Sequence, residues 1–154
     1  MNKKIFYRKP LAEEFSEMGK VANLASYEAN KRVFPRWIYR RASVPVDIFK
    51  KEDGGRWRIA IVDDYIVGIC GVYSDGYLVA LYVHPSYQGL GIGKTLLAWA
   101  EERVYWQGHK KIEAHAELGA MEFYLKNGYR VLSAQNEEIK TRGRLPLVKI
   151  SKAV

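Results

Sequence analysis

Cysteine is almost missing from this chain of 154 residues; Cys70 stands alone, so no internal disulfide can form. It lies in the apolar run Ile66 to Val72, where a buried, inert thiol is expected. Histidine is scarce too. His84, His109 and His115 show no spacing with cysteine or aspartate that would build a zinc site, and no metal is expected. No apolar stretch is long enough to cross a bilayer, so no membrane association is expected. The basic residues of Met1 to Phe6 are followed by no apolar segment of signal-peptide type, which makes the cytoplasm the expected compartment. Repeats, low-complexity tracts and linkers are also lacking, and the length suits one domain over 1–154.

The chain does have a normal globular balance, 48% hydrophobic and 27% charged, and a formal charge of +8. A basic excess suits an anionic partner, whether nucleic acid, acidic lipid or a phosphorylated ligand, and equally suits a solvated surface. Hydrophobic spacing gives the elements. Ile5 to Arg8 reads as a strand. Leu11, Phe15, Met18, Ala22, Ala25 and Ala29 form one helical face. A second helix is expected from Arg36 to Lys50, with Pro45 able to shorten it. Asp53-Gly54-Gly55 signals a turn. Trp57 to Val62, Tyr65 to Tyr73 and Tyr77 to Val83 read as an antiparallel meander with tight turns at Asp63-Asp64 and Ser74-Asp75-Gly76. Ile92, Leu96, Ala100 and Val104 mark an amphipathic helix ending near Gly108. Lys111 to Ala116 is a strand, and a short helix around Phe123 and Tyr124 stops at Asn127-Gly128. Tyr129 to Ser133 and Leu145 to Ser151 are the last strands, joined by a polar, basic loop. The order β-α-α-β-β-β-α-β-α-β-β predicts an α/β fold with a mixed, mostly antiparallel central sheet flanked by helices.

The segment Gln88-Gly89-Leu90-Gly91-Ile92-Gly93-Lys94-Thr95 lies between a strand and a helix. Glycines let a backbone approach a ligand closely, and the first N–H groups of a helix lack partners. With the helix dipole, these make an anion site suited to phosphate. The spacing excludes a dinucleotide fingerprint, because Lys94 stands where the third glycine belongs. A P-loop is disfavoured because Gln88 replaces its first glycine, and no Asp follows Asp75 to serve a magnesium ion. The pattern [QR]-x-x-G-x-[GA] is met by Gln88, Gly91 and Gly93.

On that motif the chain resembles the GCN5-related N-acetyltransferase (GNAT) superfamily. Leu81-Tyr82-Val83-His84-Pro85 resembles the end of its fourth strand. Phe123-Tyr124-Leu125-Lys126-Asn127-Gly128-Tyr129 resembles its second signature, and the element order agrees across nearly the whole chain. The resemblance implies acetyl-CoA as acyl donor and an amine as acceptor. It places the donor's pyrophosphate on backbone N–H groups from Gln88 to Thr95, with Lys94 adding charge at the rim. It places the pantetheine arm on the backbone of Leu81, Tyr82 and Val83, where the fourth strand splays from the fifth, and N–H groups there would polarise the thioester. Tyr124 is the candidate general acid for the leaving thiolate.

Two features depart from the family. No clear general base is present; Asp75, Tyr77 and Glu28 are weak candidates, and water would serve. Glu117 stands where many members carry Asn, and would meet a cationic substrate or simply sit at a helix N-terminus. The stretch Tyr27 to Ile48, rich in aromatics and arginine, is expected to shape acceptor choice, for a small molecule or a peptide. The loop Lys140 to Arg144 would meet the donor's 3′-phosphate, an anionic substrate or water. Two rival readings are a non-catalytic acetyl-CoA-binding module and, less favoured, a nucleic-acid-binding domain. A homodimer is compatible with the sequence.

Overall fold

The computed structural model describes residues 2–40, 42–50, 56–132, 140–143 and 145–154. Eight strands form the sheet: β1 (Phe6–Arg8), β2 (Arg56–Val62), β3 (Tyr65–Val72), β4 (Tyr77–Val83), β5 (Lys111–Glu117), β6 (Arg130–Val131), β7 (Thr141–Arg142) and β8 (Leu145–Ala153). They are ordered β1-β2-β3-β4-β5-β8-β6, with β7 paired to β8. All neighbours are antiparallel except β4 and β5, which run parallel. The helices are α1 (Phe15–Asn30), α2 (Arg36–Tyr39), α3 (Ile92–Trp106) and α4 (Met121–Lys126). This is the α/β architecture that the patterning predicts.

The meander follows from its turns. Asp63 and Asp64 have φ of +48° and +66°, values that Asp tolerates better than most residues and that suit the twist of a two-residue hairpin. Strand alternation then divides the core. Ile59, Ile66 and Ile69 face α1 with Met18, Ala22 and Trp57, while Ala60, Val67, Cys70 and Val72 pack under α3. The expected face of α3 is buried in full, Ile92, Leu96, Ala100 and Val104 each being at most 1% exposed. Cys70 is buried on this side, and loss of solvent pushes its thiol well above the usual range, as an inert residue requires.

Several expectations are corrected. The helix predicted from Arg36 to Lys50 is two pieces, the single turn of α2 and a 3₁₀ turn at Val46–Lys50. Pro45 cannot donate to a helical bond and holds the residue before it extended. The helix predicted from Leu11 starts with a 3₁₀ turn at Ala12–Glu14; Glu14 accepts the Leu11 N–H at 2.8 Å and an ion pair from Arg8, which anchors that entry. The loop expected before Leu145 contains β7, a strand too short for any periodicity to reveal. The turn signal at Asp53-Gly54-Gly55, and Ser133 and Arg144, lie outside the described residues.

Gly119, in the 3₁₀ turn Leu118–Ala120 after β5, fixes α1 against the sheet end. A Cβ there would sit 2.5 Å from the Ala29 carbonyl oxygen, which is backbone and cannot rotate away. Gly119→Ala is expected to cost about 1–3 kcal/mol, the usual penalty of overpacking. Urea denaturation checks this; an unchanged midpoint would show that α1 can shift freely.

Candidate functional site

The parallel neighbours β4 and β5 separate soon after they meet. They pair only at Tyr77 with Glu113 and at Leu78 with Ala114. Beyond that point β4 stays with β3 and β5 stays with β8 as far as Glu117. A bulge sharpens the divergence. Ala80 pairs with Gly71 and Leu78 with Val72, so Val79 is an extra residue. The result is a cleft of about 680 Å³. Leu78 to Val83 form one wall, Ala114 to Glu117 another, and the end of α1 a third. Of the β4 segment singled out in sequence, Leu81, Tyr82 and Val83 all line it.

The glycine turn closes one end. Gly89 and Gly91 have φ of +81° and +82°, and a Cβ on either would meet nothing within 4 Å. They are needed for backbone conformation, not for space in this structure. Gly91 caps α3, and with no side-chain cap the N–H groups of Ile92, Gly93 and Lys94 are left at the helix start. Thr95 corrects the expectation for its own N–H, which is donated to Gly91 O at 3.0 Å; its hydroxyl is what remains. Gln88 also has an internal role, since its side-chain amide donates to Val83 O at 3.1 Å and ties the turn to β4. Gln88, Gly89, Gly91, Ile92, Gly93 and Lys94 line the cleft, whereas Leu90, 60% exposed, and Thr95 do not.

Tyr124 lines the same cleft from α4 and is 6% exposed. Its ring packs edge-on against Phe123 and Tyr129. Among the described residues no hydrogen bond reaches its hydroxyl. Burial, reinforced by Cys70, Tyr82, Glu117 and Tyr77, holds the phenol well above its ordinary pKa, so it keeps its proton at neutral pH.

The candidate bases are not brought together. Asp75 accepts the Tyr77 N–H in its own turn, and with Tyr77 it lines a separate recess at the opposite end of β4. Glu28 does reach the cleft but pairs with Lys31. Sequence reasoning missed His115, which lines the cleft and shares a 2.9 Å hydrogen bond with the Tyr77 hydroxyl.

It also missed a buried polar cluster. Glu117 is 6% exposed. Its Oε1 accepts from Ser26 at 2.9 Å, from the Tyr82 hydroxyl at 3.0 Å and from Arg142, and its Oε2 accepts from Asn30 at 2.7 Å. Three donors thus share Oε1 and one reaches Oε2. Arg142, from β7, also donates to Ser26 at 2.7 Å and Tyr82 at 3.0 Å. Burial works to lower its guanidinium, but Tyr82 and Glu117 outweigh this and hold it above its usual pKa. For Tyr82, burial leads and Glu117 adds, so its phenol is pushed well up and stays neutral. Glu117 thus does stand at a helix start, at the N-cap position of the 3₁₀ turn Leu118–Ala120, but its carboxylate caps no N–H there and is paired instead with the Arg142 cation.

A mixed sheet split between two parallel strands, with a glycine turn at one end of the split, is the arrangement that the resemblance noted in the sequence implies. The sequence matches the family model described as Acetyltransferase (GNAT) domain over residues 21–143. The chain therefore belongs to the GNAT acetyltransferase family. Among solved structures, it is similar to the GCN5-related N-acetyltransferase from Rhodopseudomonas palustris, at 20% identity and a TM-score of 0.81, covering 100% of this chain and 99% of that one. It is similar to the PaiA N-acetyltransferase from Thermoplasma acidophilum, solved in complex with coenzyme A, at 20% identity and a TM-score of 0.71, covering 98% and 99%. A GNAT-family acetyltransferase from Staphylococcus aureus matches at 18% identity and a TM-score of 0.73, covering 97% and 99%. No curated protein matches the sequence significantly. Among the described residues no cluster of metal-ligating side chains occurs, and no helix is long and apolar enough to cross a membrane.

Proposed function

We propose that this protein is an acetyl-CoA-dependent N-acetyltransferase acting on a primary amine of a small molecule or peptide, by direct attack in a ternary complex. The observation that carries the reading is the cleft itself. It joins an unpaired strand edge, an uncapped helix start and a buried phenol in one continuous space. Each answers one need of thioester aminolysis.

The N–H groups of Ile92, Gly93 and Lys94 suit a pyrophosphate, with the Lys94 ammonium beside them. The free edge of β4 at Leu81, Tyr82 and Val83 suits an amide-bearing arm, which adds to it as a short strand would. An N–H on that edge would stabilise the oxyanion as charge develops. Bound acetyl-CoA supplies an activated acyl carbon. The amine nitrogen bonds to that carbon, the C–S bond breaks, and Tyr124 gives its proton to the departing sulfur. The acidic residues of the cleft wall are all engaged in ion pairs, so the amine loses its proton to solvent, or to His115 through water. Cytoplasmic location and a single-domain organisation fit this reading.

Calorimetry with acetyl-CoA, followed by thiol release across a panel of amines, tests it. Binding with amine-dependent thiol release is expected. Binding without release from any amine would favour a non-catalytic acetyl-CoA-binding module. No binding at millimolar acetyl-CoA would remove both readings.

A further inference from the structure

The charges on the cleft wall do not balance. Its three glutamates are each matched by a cation outside the wall: Glu28 by Lys31, Glu117 by Arg142 and Glu122 by Lys126. Two wall cations have no such match. Neither Arg32 nor Lys94 has an ion-pair or hydrogen-bond partner among the described residues, and both are exposed. Lys94 belongs to the glycine turn, where the donor's phosphates are assigned. Arg32 does not. It lies two residues past the end of α1, after Lys31, in the stretch with Ala29, whose carbonyl leaves no room for a Cβ on Gly119 beyond β5. In the chain it belongs with the end of α1 and not with the glycine turn, and it lines the cleft together with Glu28, Ala29 and Val33.

From this we infer that the acceptor is a small primary amine carrying a carboxylate, and that Arg32 recognises that carboxylate. The inference rests on the N-acetyltransferase reading above. A guanidinium presents a planar fork of donors that matches a carboxylate at two points. A polyamine or other polycation would find no uncommitted carboxylate on this wall and would meet Arg32 as a like charge. Glu117, the one acidic group deep in the cleft, is neutralised by Arg142 and already accepts from four donors, so it offers a second ammonium no unpaired negative charge. The positive excess of the whole chain acts in the same direction, drawing anionic ligands toward the mouth.

The test uses the full chain and matched acceptors: free amino acids against their amides, short peptides with free against amidated C-termini, and a polyamine. With saturating acetyl-CoA, the free acid of the better pair is expected to exceed its amide by about tenfold or more in kcat/KM, the range of one charge-assisted hydrogen-bonded pair. Whether the preference appears in amino acids or in peptides tells which of the two supplies the carboxylate. Arg32→Gln is expected to abolish the preference by weakening the acid alone, with the amide's kcat and the KM for acetyl-CoA unchanged. Arg32→Lys should restore part of it. Equal use of acid and amide by the unaltered protein, or preference for the polyamine, overturns the inference while leaving the enzyme reading intact. So does an Arg32→Gln defect confined to the KM for acetyl-CoA, which would place Arg32 on the donor. Acetyl-CoA binding with no amine consumed would defeat the enzyme reading first, and this inference with it.

Discussion

Tyr124→Phe is expected to lower kcat by about 10²- to 10⁴-fold, the contribution of a positioned proton donor, with acetyl-CoA affinity unchanged. The substitution is unusually clean here. The hydroxyl has no hydrogen-bond partner among the described residues, and the ring packs with Phe123 and Tyr129 through its faces and edges. Removing the oxygen therefore leaves no buried group unsatisfied and costs the fold little. The pH dependence adds a second check. Burial keeps the phenol protonated above its ordinary value near pH 10, so in the unaltered enzyme no alkaline loss of turnover below about pH 10 should arise from this residue. Single-turnover thiol release against pH gives both readouts. Full turnover in the phenylalanine variant would remove Tyr124 from the chemistry and leave it a core aromatic.

The largest effect on stability is expected from Glu117→Ala. That change leaves the Arg142 guanidinium buried without its counter-charge and takes an acceptor from Ser26, Asn30 and Tyr82 together. Breaking one side of a buried pair costs about 3–5 kcal/mol. A chain of this size would then melt roughly 6–20 °C lower. The double variant Glu117→Met with Arg142→Met separates the causes. Removing both charges should recover most of the loss, because the penalty lies in the stranded cation more than in the missing attraction. Thermal unfolding of the two variants and the parent decides the matter. A single variant as stable as the parent would mean that water reaches Arg142 and the pair is only a surface contact.

What was legible in the sequence was whatever repeats over a few residues. The buried face of α3 announces itself at every fourth position from Ile92 to Val104, because a helix brings those residues into line whatever lies opposite. Strands β2 to β4 announce themselves through apolar runs and the short turns between them. The break at Pro45 was readable as a risk, though not its result, because proline says where a helix fails and not what replaces it. The strand β7 was unreadable, since two residues carry no period. The N–H of Thr95 was misjudged because the helix start had to be known to within one residue before free amides could be told from bonded ones.

The division runs through the glycine turn. The sequence alone determined that Gln88 to Gly93 would bend tightly into a helix start, because positive φ at Gly89 and Gly91 is a local demand that glycine meets by itself. Only the tertiary structure decided what surrounds that turn. The split between β4 and β5 depends on which strands each keeps as its other neighbour. The Glu117 cluster joins Ser26 and Arg142 across 116 positions, and Asn30 and Glu117 across 87. Each of these residues is unremarkable where it stands in the chain. Their partnership comes from burial, which makes a lone charge or amide costly and so favours a packing that pairs Glu117 with all four donors, although Asn30 Oδ1 and Arg142 Nε stay without a partner among the described residues.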